Sequence, residues 1–176
     1  MNHSDHVDLL RGGVAAPGGE WADLGAGAGA FTLALAELVG SGAVIHAVDK
    51  NAVDLRQLAI AMCEHFPDVD LRAQVADFTQ PLGLPLLDGA VMANSLHFFR
   101  NKDSVLQKIH AMLKPGGRLL VVEYDVDRGN LWVPSPFSYP TWEKIAARNG
   151  FTGTRRLATK PSRFLKQFYS AVSINP

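Results

Sequence analysis

The sequence DLGAGAGAF (residues 23–31) holds three glycines at every second position, Gly25, Gly27 and Gly29. A short apolar run before it favours a β-strand, and apolar residues at helical spacing follow it. Glycine at such a junction serves a tight turn, or a backbone that another group approaches closely. The stretch therefore predicts a strand, a turn and a helix, with the turn facing a ligand or a neighbouring element.

Strand and helix patterns alternate on both sides of this turn. Five apolar or alternating runs predict strands, namely EWADLG, AVIHAVD, VDLRAQVAD, LLDGAVMAN and RLLVVEYD. Helical patterns lie between them, one capped by Asn51 with Val53 facing inward, and another capped by Asp103. This alternation favours a parallel sheet with helices on both faces.

The C-terminal part of the chain has a different pattern. VPSPFSYP (residues 133–140) contains three prolines and predicts an ordered loop, and TWEKIAARNG predicts a last helix. Two β-rich runs separated by Pro161 and Ser162 predict an antiparallel hairpin. We therefore expect an α/β fold whose doubly wound sheet has seven strands, mostly parallel, with one antiparallel strand in the C-terminal hairpin.

The domain prediction is a single unit over residues 1–176. It comprises a short N-terminal helix region (1–19), a cofactor-binding core (20–125), a proline-rich loop (126–140), and a final helix with the hairpin (141–176).

Composition and cysteine content exclude several classes of protein. The chain is 47% hydrophobic and 19% charged, which is typical of a globular domain, and no apolar run approaches the roughly 18 residues of a membrane span. The first residues are polar and lack the apolar core of a signal peptide. Cys63 is the only cysteine, which excludes an internal disulfide and a cysteine-rich metal site. We expect a cytoplasmic protein with no metal and no membrane contact.

Charge is unevenly distributed along the chain. Residues 1–100 carry five basic and 12 acidic side chains, and residues 101–176 carry 12 basic and five acidic ones, so the two parts have net charges of −7 and +7. Such asymmetry can indicate an anionic partner, or two parts that attract each other. The second interpretation is favoured, because nucleic-acid-binding domains are usually strongly basic overall.

The glycine turn is placed to bind a nucleotide-like ligand. Ligands of open parallel sheets bind at the carboxyl ends of the strands, where a following helix presents free N–H groups. Gly25, Gly27 and Ala30 fit the G-x-G-x-x-A pattern, and Asp49 at the end of the second strand can accept hydrogen bonds from a ribose diol. The pattern alone does not separate a nicotinamide dinucleotide from an adenosyl ligand that lacks phosphates.

Two further carboxylates favour the adenosyl ligand. Asp23 lies at the tip of the first strand, where it would repel a pyrophosphate and attract an ammonium or sulfonium group. Asp77 follows the third strand and can accept a hydrogen bond from an adenine amino group, although a turn aspartate is an alternative. Together with Asp49 they place three carboxylates at the ends of three neighbouring strands.

Four segments in this order resemble the class I S-adenosylmethionine-dependent methyltransferases. These are WADLGAGAGAFTLALAELVG, VIHAVDKN, VADFTQPLGLPLLDGAVMANSLHFF and LKPGGRLLVVEYD. The resemblance covers residues 20–125, and the predicted hairpin fits the same Rossmann-like fold. It implies a methyltransferase that uses S-adenosylmethionine and releases S-adenosylhomocysteine.

The resemblance also implies roles for individual residues. The methionine part of the cofactor would contact Asp23, Gly25, Ala26, Gly27 and Gly29, and Asp49 would hold the ribose. The adenine would lie against Lys50, Asp77 and Phe78. The residues after the fourth strand, Asn94, Ser95 and Leu96, would face the methionine amine and the sulfonium.

The residues that would contact the methyl acceptor carry a weaker signal. His97 is the candidate general base, because it follows the fourth strand and histidine is the residue type most often used for proton transfer near neutral pH, although it could equally pack or cap a loop. Tyr124 and Asp125 follow the fifth strand and are candidates for substrate contact. In the proline-rich segment, Trp132 and Phe137 could belong to a lid or simply anchor a surface loop.

Motifs of several methyltransferase classes are absent. The site after the fourth strand reads ANSL rather than the D/N-P-P-Y/F motif of enzymes that act on nucleic-acid amino groups or protein glutamine. Cytosine C5 methylation requires a cysteine at that site, and arsenite methylation requires several cysteines. A small-molecule acceptor is therefore favoured and a nucleic acid disfavoured, with a homodimer as one way to complete the acceptor pocket. The alternatives are a cofactor-binding module without catalysis and a nicotinamide-dependent oxidoreductase.

Overall fold

The computed structural model describes all of residues 1–176 and contains one seven-stranded sheet. Its strands are β1 (Glu20–Leu24), β2 (Val44–Asp49), β3 (Asp70–Val75), β4 (Leu87–Ala93), β5 (Leu113–Tyr124), β6 (Thr152–Pro161) and β7 (Gln167–Ile174). The strand order is β3-β2-β1-β4-β5-β7-β6. The first five strands in this order are mutually parallel, and β7 is antiparallel to both β5 and β6. The predicted mostly parallel sheet with one antiparallel strand is confirmed.

Five helices cover the sheet. They are α1 (His3–Arg11), α2 (Ala30–Val39), α3 (Ala52–His65), α4 (Asp103–Met112) and α5 (Tyr139–Arg148), and a 3-10 turn, Leu96–Phe98, follows β4. None of the helices is long and apolar enough to span a membrane.

Two hydrophobic cores lie on opposite faces of the sheet, which confirms that the fold is doubly wound. One core includes Leu35 of α2 and Leu58 of α3, and the other includes Leu106 of α4 and Trp142 of α5. Strand β5 contributes alternately to both cores, with Leu120 and Val122 in the first and Leu119 and Val121 in the second. A strand buried on both faces explains the continuous apolar run in its sequence.

Two local predictions were wrong. Asp103 does not cap α4, because the Asn101 side chain accepts the Asp103 N–H at 3.1 Å and the Asp103 carboxylate accepts from Arg148 at 2.9 Å. Val53 is 52% exposed, although the sequence pattern placed it on the inward face of α3.

Candidate functional site

Gly25 closes the turn between β1 and α2 against the neighbouring strands. The N–H groups of Gly25 and Ala26 donate to the Val48 carbonyl of β2 at 2.8 and 3.1 Å. Gly25 has φ of 89°, and a Cβ at this position would lie 2.7 Å from the Cβ of Ser95. Both the backbone conformation and the close approach therefore require glycine.

The other two glycines of the turn have different surroundings. A Cβ on Gly29 would lie 2.2 Å from Cδ1 of Leu58, so this glycine allows α2 to pack closely on α3. A Cβ on Gly27 would meet nothing within 4 Å. Space is thus open beside the backbone of Gly27, whose N–H donates to Asp49 at 2.8 Å.

A cavity of about 300 Å³ lies next to this turn, at the carboxyl ends of β1 to β4. We call it the carboxyl-edge pocket. Its walls bring together seven residues that the sequence assigned to the cofactor, Gly25, Asp49, Lys50, Asp77, Phe78, Asn94 and Ser95, and two aromatic residues that it did not assign, Phe98 and Phe99. The volume lies at the lower end of the range of small-molecule pockets.

Asp49 is held firmly at the end of β2. Its Oδ2 accepts the Gly27 N–H and its Oδ1 accepts the Asn51 N–H, both at 2.8 Å. Each carboxylate oxygen has a further lone pair, so the group can also accept hydrogen bonds from a ligand. The backbone bonds fix the orientation in which a diol would be received.

Asp77 and Lys50 form an ion pair on one side of the pocket, with 2.8 Å between Oδ2 and Nζ. The hydrogen bond from Lys50, followed by those from the Thr79 side chain and backbone, lowers the pKa of Asp77 to about 2. Asp77 is therefore a carboxylate at neutral pH and accepts hydrogen bonds only.

Asp23 lies behind the pocket rather than on its wall. Its side chain is almost completely buried and accepts a hydrogen bond from Thr32 Oγ1 at 2.7 Å. Burial raises the pKa of Asp23 to about 6, and the nearby Asp49 charge adds to the rise, which the Thr32 hydrogen bond only partly offsets. The Asp23 carboxylate is thus buried without a cation beside it to neutralise its charge.

Asn94 and Ser95 follow β4 and line the same pocket. Asn94 has φ of 53°, a left-handed conformation that asparagine tolerates better than most residues. Its Oδ1 atom is buried and has no hydrogen-bond partner in the protein. Since buried acceptors are rarely left unpaired, this atom suits a donor supplied by a ligand. Ser95 instead donates to the Leu24 carbonyl at 2.8 Å.

His97 and Glu123 form a buried pair beneath the pocket. The Glu123 side chain is fully buried and accepts from His97 Nδ1 at 2.7 Å, from the His97 N–H at 3.1 Å and from the Leu96 N–H at 3.2 Å. The His97 ring packs at a tilt against Phe98, a wall residue, with 4.3 Å between ring centroids, but His97 is 2% exposed and does not itself line the pocket. Sequence reasoning missed Glu123, although an acid within the apolar run LLVVE was a signal.

The remaining predicted site residues lie away from the pocket walls. Tyr124 lines a separate cavity, described below. Asp125 accepts from the Tyr139 N–H at 2.8 Å and from the Gln167 side chain at 3.0 Å. Trp132 is 74% exposed, whereas Phe137 is buried against Trp142. The structure therefore does not bring these four residues together with the cofactor candidates.

Comparison with known proteins identifies the family. A family model described as a methyltransferase domain matches residues 22–119, which include most of β1, all of β2, β3 and β4, and the glycine turn. The chain belongs to the methyltransferase domain family. The family resemblance inferred from the four sequence segments is thus confirmed.

Individual relatives agree with this assignment. The chain is 28% identical over 161 residues to an arsenite methyltransferase of Aquipseudomonas alcaligenes, a match that covers 79% of this chain and 46% of that protein. The chain thus spans about half the length of this curated relative.

Solved structures share the fold. The 1,6-didemethyltoxoflavin-N1-methyltransferase of Burkholderia thailandensis, with bound 1,6-didemethyltoxoflavin and S-adenosylhomocysteine, has a TM-score of 0.76 and 20% identity, covering 98% of this chain and 77% of that one. The YcgJ protein of Bacillus subtilis has a TM-score of 0.77 and 13% identity, covering 98% of both chains.

Proposed function

We propose that this protein is an S-adenosylmethionine-dependent methyltransferase that acts on a small-molecule acceptor. The observation that carries the proposal is the carboxyl-edge pocket, where Asp49, Asp77 and the unpartnered Oδ1 of Asn94 converge beside open glycine backbone. We take residues 1–176 as one functional domain.

The pocket fits the adenosyl cofactor by the chemistry of its walls. Asp49 offers paired acceptors for the two ribose hydroxyls, and Asp77 offers an acceptor for the adenine amino group. Phe78 and Phe99 provide an aromatic wall for the base, with 5.4 Å between their ring centroids. Asn94 Oδ1 and the buried charge of Asp23 favour the ammonium of the methionine part.

When bound, S-adenosylmethionine supplies a methyl group on a positively charged sulfur, and the sulfur keeps the C–S electron pair when the methyl group is transferred. The protein residues align the acceptor and shape the charge around it. We assign the role of base to His97, because Glu123 holds its Nδ1 and Nε2 remains to take the acceptor's proton. In such an arrangement one ring nitrogen of the histidine makes the hydrogen bond that orients the ring, and the other nitrogen exchanges the proton. His97 is buried in the free protein, so this role requires that ligand binding opens a path to Nε2.

A small organic acceptor is favoured over arsenite, despite the arsenite methyltransferase among the relatives. Cys63 is the only cysteine and is exposed on α3. It lies 11 residues beyond Ala52, the first residue of α3, so it is about 16 Å along the helix from the pocket end. Thiolate chemistry at the pocket would need a cysteine that this chain does not place there.

The test is calorimetric binding of S-adenosylhomocysteine and of NADH to protein freed of carried-over ligand. We expect S-adenosylhomocysteine alone to bind. Asp49→Ala removes acceptors for the ribose and should weaken this binding by roughly 1–3 kcal/mol, the scale of a hydrogen bond to a charged group.

Asp68→Ala is the matched control, because Asp68 is an exposed acid away from the pocket, and it should bind like the wild type. Preference for NADH would replace the proposal by an oxidoreductase. Binding of neither compound would also contradict it.

A further inference from the structure

A second cavity, of about 620 Å³, opens where β5 ends against α1 and the turn between β6 and β7. We call it the hairpin cavity. Its size falls within the range of about 300–1,000 Å³ for small-molecule sites. It is separate from the carboxyl-edge pocket, with which it shares no wall residue.

One wall of the hairpin cavity is aromatic. The Tyr124 ring lies 4.2 Å from that of Phe168 and 6.0 Å from that of Phe164, measured between centroids. Phe168 is buried, but Phe164 remains 50% exposed at the cavity. An exposed ring beside two packed ones offers stacking surface to a planar apolar ligand.

The charged groups of the cavity are not equally free. Lys160 donates to Asp5 at 2.8 Å and to Asp8 at 3.0 Å, so its charge is already neutralised while it ties β6 to α1. Arg163 also lines the cavity and takes part in no ion pair. A free guanidinium is suited to bidentate recognition of a carboxylate or phosphate.

A buried histidine, His97, separates the hairpin cavity from the carboxyl-edge pocket. The His97 ring lies 6.4 Å from that of Tyr124 in the cavity wall, and 4.3 Å from that of Phe98 in the carboxyl-edge pocket. His97 itself is 2% exposed and lines neither space, so the two cavities are distinct sites on the same edge of the sheet.

We propose that the hairpin cavity binds a planar aromatic acid, at a site distinct from the one proposed for the cofactor. The ring stacks on Phe164 and Tyr124, and its acidic group pairs with Arg163.

Three probes of similar shape test the proposed charge and ring recognition. They are 4-hydroxybenzoate, its neutral methyl ester and the cation tyramine, each titrated by NMR into protein saturated with S-adenosylhomocysteine. We expect the acid to bind at least about tenfold more tightly than the ester or the amine, as a charged hydrogen bond gives.

Two variants separate the contributions of charge and ring. Arg163→Gln should remove the preference for the acid, and Phe164→Ala should weaken all three probes alike. Lys166→Gln is the control, since Lys166 is a basic residue of the same turn that does not line the cavity. It should leave the preference unchanged.

The possible failures are distinguishable. If S-adenosylhomocysteine binds but the acid does not, or if tyramine binds best, the hairpin cavity is not a site for an aromatic acid and the proposed function stands. Equal effects of Arg163→Gln and Lys166→Gln would also overturn the assignment of the cavity. Failure to bind S-adenosylhomocysteine at all would instead contradict the proposed function.

Discussion

The Asp23 carboxylate has an energetic cost in the free protein. It is buried, it receives one hydrogen bond from Thr32, and its pKa is about 6 rather than the usual value of 3.8. Above pH 6 it is ionised in both the folded and unfolded states, and burial penalises the folded state. Below pH 3.8 it is protonated in both, and the penalty disappears. Stability from this group therefore falls as pH rises from about 4 to 6.

Asp23→Asn should accordingly stabilise the free protein at pH 8 and have little effect at pH 4. The expected gain at pH 8 is on the order of 3 kcal/mol at most, from the difference between the two pKa values. Urea unfolding at the two pH values measures it. The same variant should bind S-adenosylhomocysteine more weakly, because the attraction for the ligand ammonium is lost. If Asp23→Asn is less stable than the wild type at pH 8, burial of the Asp23 carboxylate does not penalise the folded state.

The position of a residue could be predicted where its place in the fold fixes its surroundings, although its role stays a prediction. Asp49 ends β2 and Asp77 follows the neighbouring parallel strand β3, so the fold alone brings them to one edge, and both line the pocket. Phe98 and Glu123 were missed because their roles depend on how the 3-10 turn packs onto β5. Contacts between side chains that are far apart along the chain produce no regular spacing that a sequence pattern could reveal.

The glycine turn is an element whose three glycines should differ in effect. Gly27→Ala adds a methyl group into open space at φ of 53°, so we expect a modest loss of stability, about 1–2 kcal/mol. Cofactor binding should fall about tenfold or more, because the methyl group occupies space beside Asp49. Thermal unfolding and calorimetry with S-adenosylhomocysteine measure the two effects.

Gly29→Ala is the comparison within the same turn. Its Cβ would collide with Leu58, so the loss of stability should exceed that of Gly27→Ala, while folded protein should keep more of its affinity. The reverse order of the two variants would mean that Gly29, and not Gly27, borders the ligand.

The 3-10 turn after β4 is held to β5 by Glu123. Glu123→Ala would leave two backbone N–H groups and His97 Nδ1 without their acceptor in a buried region. We expect a loss of about 3–5 kcal/mol of unfolding free energy, measured in urea. Glu143→Ala, at an exposed acid of α5, should change it by no more than about 0.5 kcal/mol. If both variants change the free energy of unfolding by equally small amounts, Glu123 has no structural role.

Element order was predictable, but details at element ends were not. The inward residues of α3 are Leu55, Leu58 and Met62, and Val53 lies two positions before Leu55, on nearly the opposite side of a helix. The apolar character of Val53 alone could not predict that it faces away from the core. The predicted cap of α4 was wrong for another reason, since Arg148 and Asn149 of the C-terminal segment engage the Asp103 side chain.

Across the whole molecule, the opposite charges of the two parts of the chain meet inside one fold. Lys160 pairs with Asp5 and Asp8, and Lys114 pairs with Asp88. Arg155 donates to the Gly12 carbonyl at 2.7 Å. The structure therefore supports attraction within the protein as the reason for the asymmetry. A homodimer stays a prediction.

Nucleic-acid binding should accordingly be weak. Most basic side chains of β6 are engaged within the protein, including Arg156, which lies 4.3 Å over the Tyr139 ring. We expect no retention on immobilised heparin at about 0.15 M salt, where surface electrostatics are screened within about 8 Å. Retention that falls steeply with added salt would indicate a phosphate-binding face and contradict this expectation.

The position of β7 between β5 and β6 has a consequence for how the molecule is made. Residues 167–174 are synthesised last of all the strands, yet they form the neighbour that both β5 and β6 require. Until they emerge from the ribosome, β5 has an open hydrogen-bonding edge and β6 has no partner in the sheet. The nascent chain therefore passes through an interval, after most of its core has been made, in which an apolar strand edge is open to aggregation or to a chaperone.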